Sequence, residues 1–262
     1  MTTSALHVAR TGLDAQDVKM RVIANNLANV NTLGFKRDRA NFETLAYQQV
    51  VAAGSQADSQ NRLAIGLNLG SGVQLTGTER IDTQGTMNTT GNTYDLAIEG
   101  AGFFQLERPD GTIAYTRAGN FKTSADGLLV SPDGLPLIPQ IQLPEGVGAV
   151  TIGNDGTVSA AVEGQSEPVQ LGMIETARFV NPAGLQAVGG NLLLETAASG
   201  APQVGAAGLE GRGTIRQGAL EQSNVNTVEE LVTMIETQRA YEIASKMIKA
   251  TDEMLQYVNQ QL

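Results

Sequence analysis

The two ends of the chain constrain its fold more tightly than anything between them. From Ser4 to Asn31 there is no proline and one glycine, Gly12, while apolar residues return at Leu6, Leu13, Met20 and Leu27. Ala9, Ile23 and Val30 fill the intervening seam, which Gln16 interrupts once. This is the a/d stripe of a coiled-coil helix. A helix of about 28 residues rises ~42 Å, at about 1.5 Å per residue, and Gly34 stands where a helix stop belongs. The other end repeats the design. Thr227-Val228-Glu229-Glu230 reads as a capping box, and from there to Leu262 neither glycine nor proline occurs. Met234, Tyr241, Ile248 and Leu255 carry the same heptad stripe.

Neither helix has a companion next to it in sequence. Packing of an apolar face supplies most of a helix's stability in water, so each seam needs a partner. The partner is either the opposite end of the same chain, in a closed bundle, or another molecule. We expect residues 1–32 to pair with residues 227–262.

The middle follows other rules. Asp-Gly pairs at Asp110, Asp126, Asp133 and Asp155 mark turns between short strand-like runs such as Phe103 to Glu107 and Val169 to Ile174. We read residues 73–215 as an all-β domain, 33–72 as an extended connector with an Ala/Gln/Ser-rich insertion at 47–66, and 216–226 as a return connector. The fold class is therefore α+β.

Composition removes several functions. The net charge of -10 lacks the basic footprint that nucleic acid or an anionic membrane surface requires, and no run is long and apolar enough to span a membrane. The charge is uneven, however: residues 1–45 hold six basic and four acidic groups, and residues 221–262 hold three basic and seven acidic groups. There is no Cys, hence no disulfide, thiolate nucleophile or sulfur-ligated metal. The single histidine, His7, has no companion ligand and reads as a surface or contact residue. Gly66, Gly70 and Gly72, like Gly208, Gly211 and Gly213, sit in turns without a phosphate-loop lysine. Asp126, Asp133 and Asp155 read as turn residues whose side chains cap backbone groups, in preference to paired acids for glycoside cleavage. We assign no catalytic, cofactor or metal site.

Against this background the segment Ile23-Ala24-Asn25-Asn26-Leu27-Ala28-Asn29-Val30-Asn31-Thr32-Leu33-Gly34-Phe35-Lys36-Arg37 resembles the signature of the axial proteins of the bacterial flagellum. Ser223-Asn224-Val225-Asn226-Thr227 and Gln238-Arg239-Ala240-Tyr241-Glu242 resemble that family's other end, and Asp95 to Phe104 with Tyr115-Thr116-Arg117 extend the likeness into the β region. The signature residues are Asn25, Asn26, Leu27, Asn29, Asn31, Gly34 and Phe35. By propensity alone, the asparagines end a helix and offer amides to neighbours.

The resemblance implies a structural subunit, not an enzyme, without cofactors. It further implies a helical homopolymer with paired terminal helices inside and the β domain outside. Length and the 47–66 insertion favour the distal rod over the proximal rod or hook. Implied partners are further copies, proximal rod and hook or hook-junction subunits, the P and L ring proteins, a rod cap and the flagellar type III export apparatus. Export is expected without a cleaved Sec signal, because Arg10, Asp14, Asp17, Lys19 and Arg21 interrupt any signal-like apolar stretch. The assembly seam is assigned to Leu6, Leu13, Met20, Ile23, Leu27, Met234, Tyr241, Ile248 and Leu255. The competing reading is a monomeric β-rich binding or adhesion module with its helices folded back as a stalk.

Overall fold

The computed structural model describes residues 2–56, 64–144, 147–162 and 168–261. The chain divides into two compact units. One gathers Met1–Leu27, Asp38–Glu79 and Asn226–Leu262, and the other Ala28–Arg37 with Arg80–Val225. Helices at both ends and a β-rich middle give the α+β class read from the sequence.

The first unit contains helix α1 (Thr2–Ala28), strands β1 (Asp38–Thr44), β2 (Tyr47–Val51), β3 (Leu67–Gly70) and β4 (Val73–Arg80), and helix α2 (Thr227–Gln261). Helix α1 stops at Ala28, earlier than the heptad pattern suggests, where the Thr32 amide turns back onto the Asn29 carbonyl. Helix α2 starts at Thr227, the expected cap, and is capped one residue earlier. Asn226, not Thr227, accepts hydrogen bonds from the Val228 and Glu229 amides at 3.1 and 3.4 Å, which satisfies exposed donors of the first turn. Glu230 is thereby released from capping duty. Strands β1 and β4 pair, and Arg39 and Asn41 both donate to Glu79 at 2.9 Å. Strands β2 and β3 form an antiparallel ribbon with Tyr47 opposite Gly70. The tip of the 47–66 insertion, from residue 57 onward to 63, lies outside the described residues.

The second unit is antiparallel throughout its recorded pairings. Its largest sheet places strands 137–138, 104–107, 113–116, 192–194 and 186–189 side by side, and a three-stranded sheet joins 147–152, 157–162 and 169–173. Aromatics are only 4% of the chain, yet they concentrate here. Phe104 meets Phe121 edge-on at 5.1 Å, and Tyr115 meets Phe179 at 4.8 Å, so a sparse aromatic complement anchors both core clusters.

Four turns share one backbone scheme, with glycine in the left-handed region at Gly111, Gly127, Gly134 and Gly156. Their side chains differ from the uniform Asp capping expected. Asp110 and Asp155 accept from the amides of Thr112 and Thr157, each at 3.0 Å. In the other two turns the serine hydroxyls of Ser124 and Ser131 accept the amides of Leu128 and Leu135 at 3.3 and 3.2 Å. Leucine offers no hydroxyl to a carboxylate, and serine takes over the cap.

Candidate assembly surface

In the first unit, Asn26 joins the two helices to the start of β1. Its side-chain amide donates to the Asp38 carbonyl at 2.9 Å and to Glu230 Oε1 at 3.3 Å, while its Oδ1 accepts the Asp38 amide at 2.9 Å. Asn26 is 1% exposed and Glu230 7%, so a buried carboxylate of α2 finds an amide of α1. Asn25 is exposed and Leu27 half-buried.

The seam residues assigned from sequence are placed unevenly. Ile23 is buried, Leu6, Leu13, Met20, Met234 and Ile248 are half-buried, and Tyr241 is 41% exposed. The side chain of Leu255 lies outside the described residues. On α2 the deepest line runs instead through Glu230, Thr237 and Ala244, which also recurs every heptad. Thr237 tolerates burial because its hydroxyl donates to the Thr233 carbonyl at 2.7 Å.

The opposite side of α2 is open and mixes apolar side chains with the exposed charges of Arg239, Glu242 and Lys246. At about 3.6 residues per turn, Val228, Val232, Ile235 and Ile243 fall on the face away from Glu230, Thr237 and Ala244. They are 69, 51, 51 and 60% exposed, and Met254 and Tyr257 extend the row. Helix α2 thus exposes large apolar groups among its surface charges, more of them than a surface helix that is buried on one face alone requires. Val8, Ala9 and Gly12 of α1 and Ala244, Met247 and Thr251 of α2 also line one groove of about 590 Å³ together with Leu69 and Gly70.

In the second unit the remaining signature residues organise the two connectors. The Gly34 amide donates to the Glu221 carbonyl at 2.8 Å, the Asn224 amide to the Phe35 carbonyl at 3.4 Å, and the Arg37 amide to Asn224 Oδ1 at 2.8 Å. Asn224 Nδ2 also reaches the carbonyls of Ile81 and Thr83. Gly34 is required here: its φ is +67°, and a Cβ would stand 2.6 Å from the Arg117 carbonyl carbon. Asn29 and Asn31 border a polar cleft of about 490 Å³ shared with Asn120 and Asn191.

Beneath the connectors lies an ion network that sequence reasoning passed over. Glu221, with no exposed side-chain surface, receives Lys36 Nζ, Arg117 Nη1 at 3.3 Å and the Gly85 amide at 2.9 Å. Burial pulls the Lys36 ammonium and the Arg117 guanidinium below their ordinary pKa values, and the Glu221 charge opposes both shifts. Arg117 also lies 5.4 Å from the Phe103 ring centroid. Glu221 follows Ala219-Leu220 but is itself followed by Gln222-Ser223-Asn224, so its sequence neighbourhood does not mark it as buried.

This constellation holds segments together and offers no reacting group. Among the described residues no cluster of three or more metal-ligating side chains exists, and no helix is long and apolar enough to cross a membrane.

Three family models match the chain: the flagella basal body rod protein family at residues 6–36, the flagellar hook protein FlgE/F/G D1 domain at 97–160, and the flagellar basal body rod FlgEFG protein C-terminal domain at 216–261. The chain is 50% identical over 256 residues to the flagellar basal-body rod protein FlgG of Buchnera aphidicola subsp. Acyrthosiphon pisum, covering 98% of each. It is 48% identical to the protein of that name in Borreliella burgdorferi, over 97% of each, and 37% identical to that of Bacillus subtilis, over 96% of each. A likeness of this extent, carried by both helical ends and by the β region between them, establishes that the chain belongs to the flagellar basal-body rod proteins, structural subunits of the flagellum and not enzymes.

Proposed function

We propose that this chain is a subunit of the distal rod, polymerising into a helical tube that carries torque from motor to hook and leaves a passage for exported subunits. The observation that carries the reading is the row of large apolar side chains that α2 leaves exposed: Val228, Val232, Ile235 and Ile243 are open although the opposite line of the helix, through Glu230, Thr237 and Ala244, is already buried. Such a row is covered in an assembled state, where each large side chain contributes at most about 1.5–3 kcal/mol, reduced by the ordering of both partners. Non-closing, head-to-tail contacts of this kind generate filaments.

The terminal helices pair as a coiled coil through Leu6, Leu13, Met20, Ile23 and Leu27 on one side and Met234, Tyr241, Ile248 and Leu255 on the other, inside a structure whose β domain, residues 73–215, faces outward. Copies of the chain are its main partners. Proximal rod and hook subunits lie at its two ends, with P and L ring proteins around it, a rod cap ahead of it and the type III apparatus exporting it without a cleaved Sec signal. Its insertion at 47–66 stiffens the polymer by bridging subunits, a role supported by the exposed apolar side chains Tyr47, Val50 and Leu67 on the ribbon.

Electron microscopy of concentrated protein tests the reading. Val232→Asp and Ile243→Asp on α2, and Leu27→Asp on α1, should each abolish straight tubes while circular dichroism and proteolysis report a folded β unit. Normal polymer from all three would count against these residues as the assembly seam, and no polymer from the unaltered chain would return it to a monomeric module. Removal of residues 47–66 should give a flexible, hook-like polymer, and a rod of unchanged stiffness rejects the bridging role.

A further inference from the structure

The four Asp-Gly turns are not chemically equivalent, and the difference assigns a modification. Each presents an exposed aspartate followed by a glycine in the left-handed region, the pair in which a main-chain amide most easily reaches a side-chain carboxyl because no Cβ obstructs it. In two turns the carboxyl is captured. Asp110 Oδ1 receives both the amide and the hydroxyl of Thr112, at 3.0 and 2.6 Å, and its other oxygen lies 3.1 Å from Arg108 Nη1. Asp155 receives the Thr157 amide at 3.0 Å and hydroxyl at 2.7 Å. In the other two turns the residue after glycine is Leu128 or Leu135, and neither Asp126 nor Asp133 has a side-chain hydrogen bond or ion pair among the described residues.

We propose that Asp133, and secondarily Asp126, are sites of spontaneous isoaspartate formation, and that the threonines of the other two turns protect Asp110 and Asp155. The glycine amide nitrogen loses its proton and attacks Cγ of the aspartic acid form. An N–Cγ bond forms, the Cγ–OH bond breaks, and the hydroxyl leaves as water with the proton, closing a five-membered succinimide. Water then adds to one of the two ring carbonyls. Cleavage of the N–Cγ bond restores aspartate, while cleavage of the bond between nitrogen and the α-carbonyl carbon routes the main chain through Cβ and Cγ. One water leaves and one enters, so mass and charge are unchanged.

Closure requires the carboxyl to swing toward the glycine nitrogen in its protonated form. At Asp110 and Asp155 that motion breaks hydrogen bonds from threonine, and the same bonds favour the ionised form, whose oxygen is a poor leaving group. The two free turns differ from each other as well. The Gly127 carbonyl accepts the Leu143 amide at 2.8 Å, and a Cβ at Gly127 would lie 2.5 Å from the Leu143 carbonyl oxygen. Gly134 has open space around it. The glycine amide donates to a turn carbonyl in both cases, Gly127 to Ser124 at 3.0 Å and Gly134 to Ser131 at 2.9 Å, so Asp133 ranks ahead of Asp126 on the open space around Gly134 and the missing Leu143 contact.

The test is incubation of the full chain at neutral pH in heavy-oxygen water below its unfolding temperature, followed by peptide mapping and labelling with protein L-isoaspartyl methyltransferase. Heavy oxygen and methyl label should accumulate first in the Asp133 peptide and next in the Asp126 peptide. Asp110 and Asp155 should lag by roughly tenfold, the scale of a charge-assisted hydrogen bond held in the starting state. Leu135→Thr should slow Asp133, and Thr157→Leu should accelerate Asp155. Equal label at all four turns, or threonine exchanges without effect, overturns the proposal. Should a variant fail to fold, the four turns of the unaltered chain still compare themselves within one sample.

Discussion

Lys36 and Glu221 stand 185 positions apart in sequence and meet inside the second unit with 3% and 0% of their side-chain surfaces exposed. Two groups that would each be costly to bury alone are tolerable together, because the pair also collects the Thr83 carbonyl, the Gly85 amide and Arg117. Removing one partner is therefore worse than removing both. Glu221→Leu should lower stability by about 3–5 kcal/mol, measured by denaturant unfolding, and Lys36→Met in the same chain should recover part of that loss. A double variant as unstable as the sum of the single ones contradicts the coupling.

Gly34→Ala tests the approach of the connector to Arg117. The left-handed conformation costs an ordinary residue roughly 1–2 kcal/mol, and forcing a methyl group against backbone adds about 1–3 kcal/mol. A loss of stability in that combined range is expected on thermal unfolding, and an unaltered midpoint contradicts the tight contact.

Asn26→Ala removes the amide that serves Asp38 and Glu230. The unmatched Asp38 backbone groups should cost about 1–3 kcal/mol, visible as faster hydrogen exchange at the Asp38 amide. Asn26→Asp should be more harmful near neutral pH, because it sets a second carboxylate against Glu230.

The captured turns predict acid behaviour. Hydrogen bonds from Thr112 and Thr157 hold the Asp110 and Asp155 carboxyls below the usual carboxylate value. Their folded-state pKa values are depressed, so the contribution to stability is present above the unfolded value and is lost as pH falls through the folded one. Carboxyl-carbon NMR titration should find both below the usual carboxylate value, and Thr157→Val should bring Asp155 back toward it.

Alkaline conditions should act through Tyr115. Desolvation, followed by the negative charge of Glu195, pushes its phenol up to about 12. The unfolded chain ionises near the ordinary value of about 10, so stability conferred by the buried neutral phenol is intact below that pH and lost as pH rises through the folded value. Ultraviolet titration should show a tyrosine step at about 12, and Tyr115→Phe should remove it.

The helical ends were legible because heptad periodicity and the absence of glycine and proline act locally, within a few turns. Strand positions around the Asp-Gly turns were legible for the same reason. What periodicity could not show was the deepest line of α2, since a rule that counts apolar residues assigns Glu230 and Thr237 to solvent. Asn26 and the Thr233 carbonyl, respectively, meet their polar groups, and only folding brings Asn26 across 204 positions to Glu230. The Glu221 network was hidden likewise: Lys36, Arg117 and Glu221 each look like ordinary surface charges until the connectors align. The asparagine signature divided its work, with Asn26 holding the helical unit while Asn29 and Asn31 border the cleft of the other.

The pairing of Gly34 with Glu221 and of Asn224 with Phe35 has a mechanical meaning. Where the chain comes into the β-rich unit and where it goes out, the two strands are tied to each other. A pull between the chain's ends meets the Asn26–Glu230 contact of the helices, then these cross-strand bonds and the ion pair beneath them, before it reaches the long excursion through the sheets. Loops in that excursion can lengthen or shorten without changing the distance between the two tied connectors.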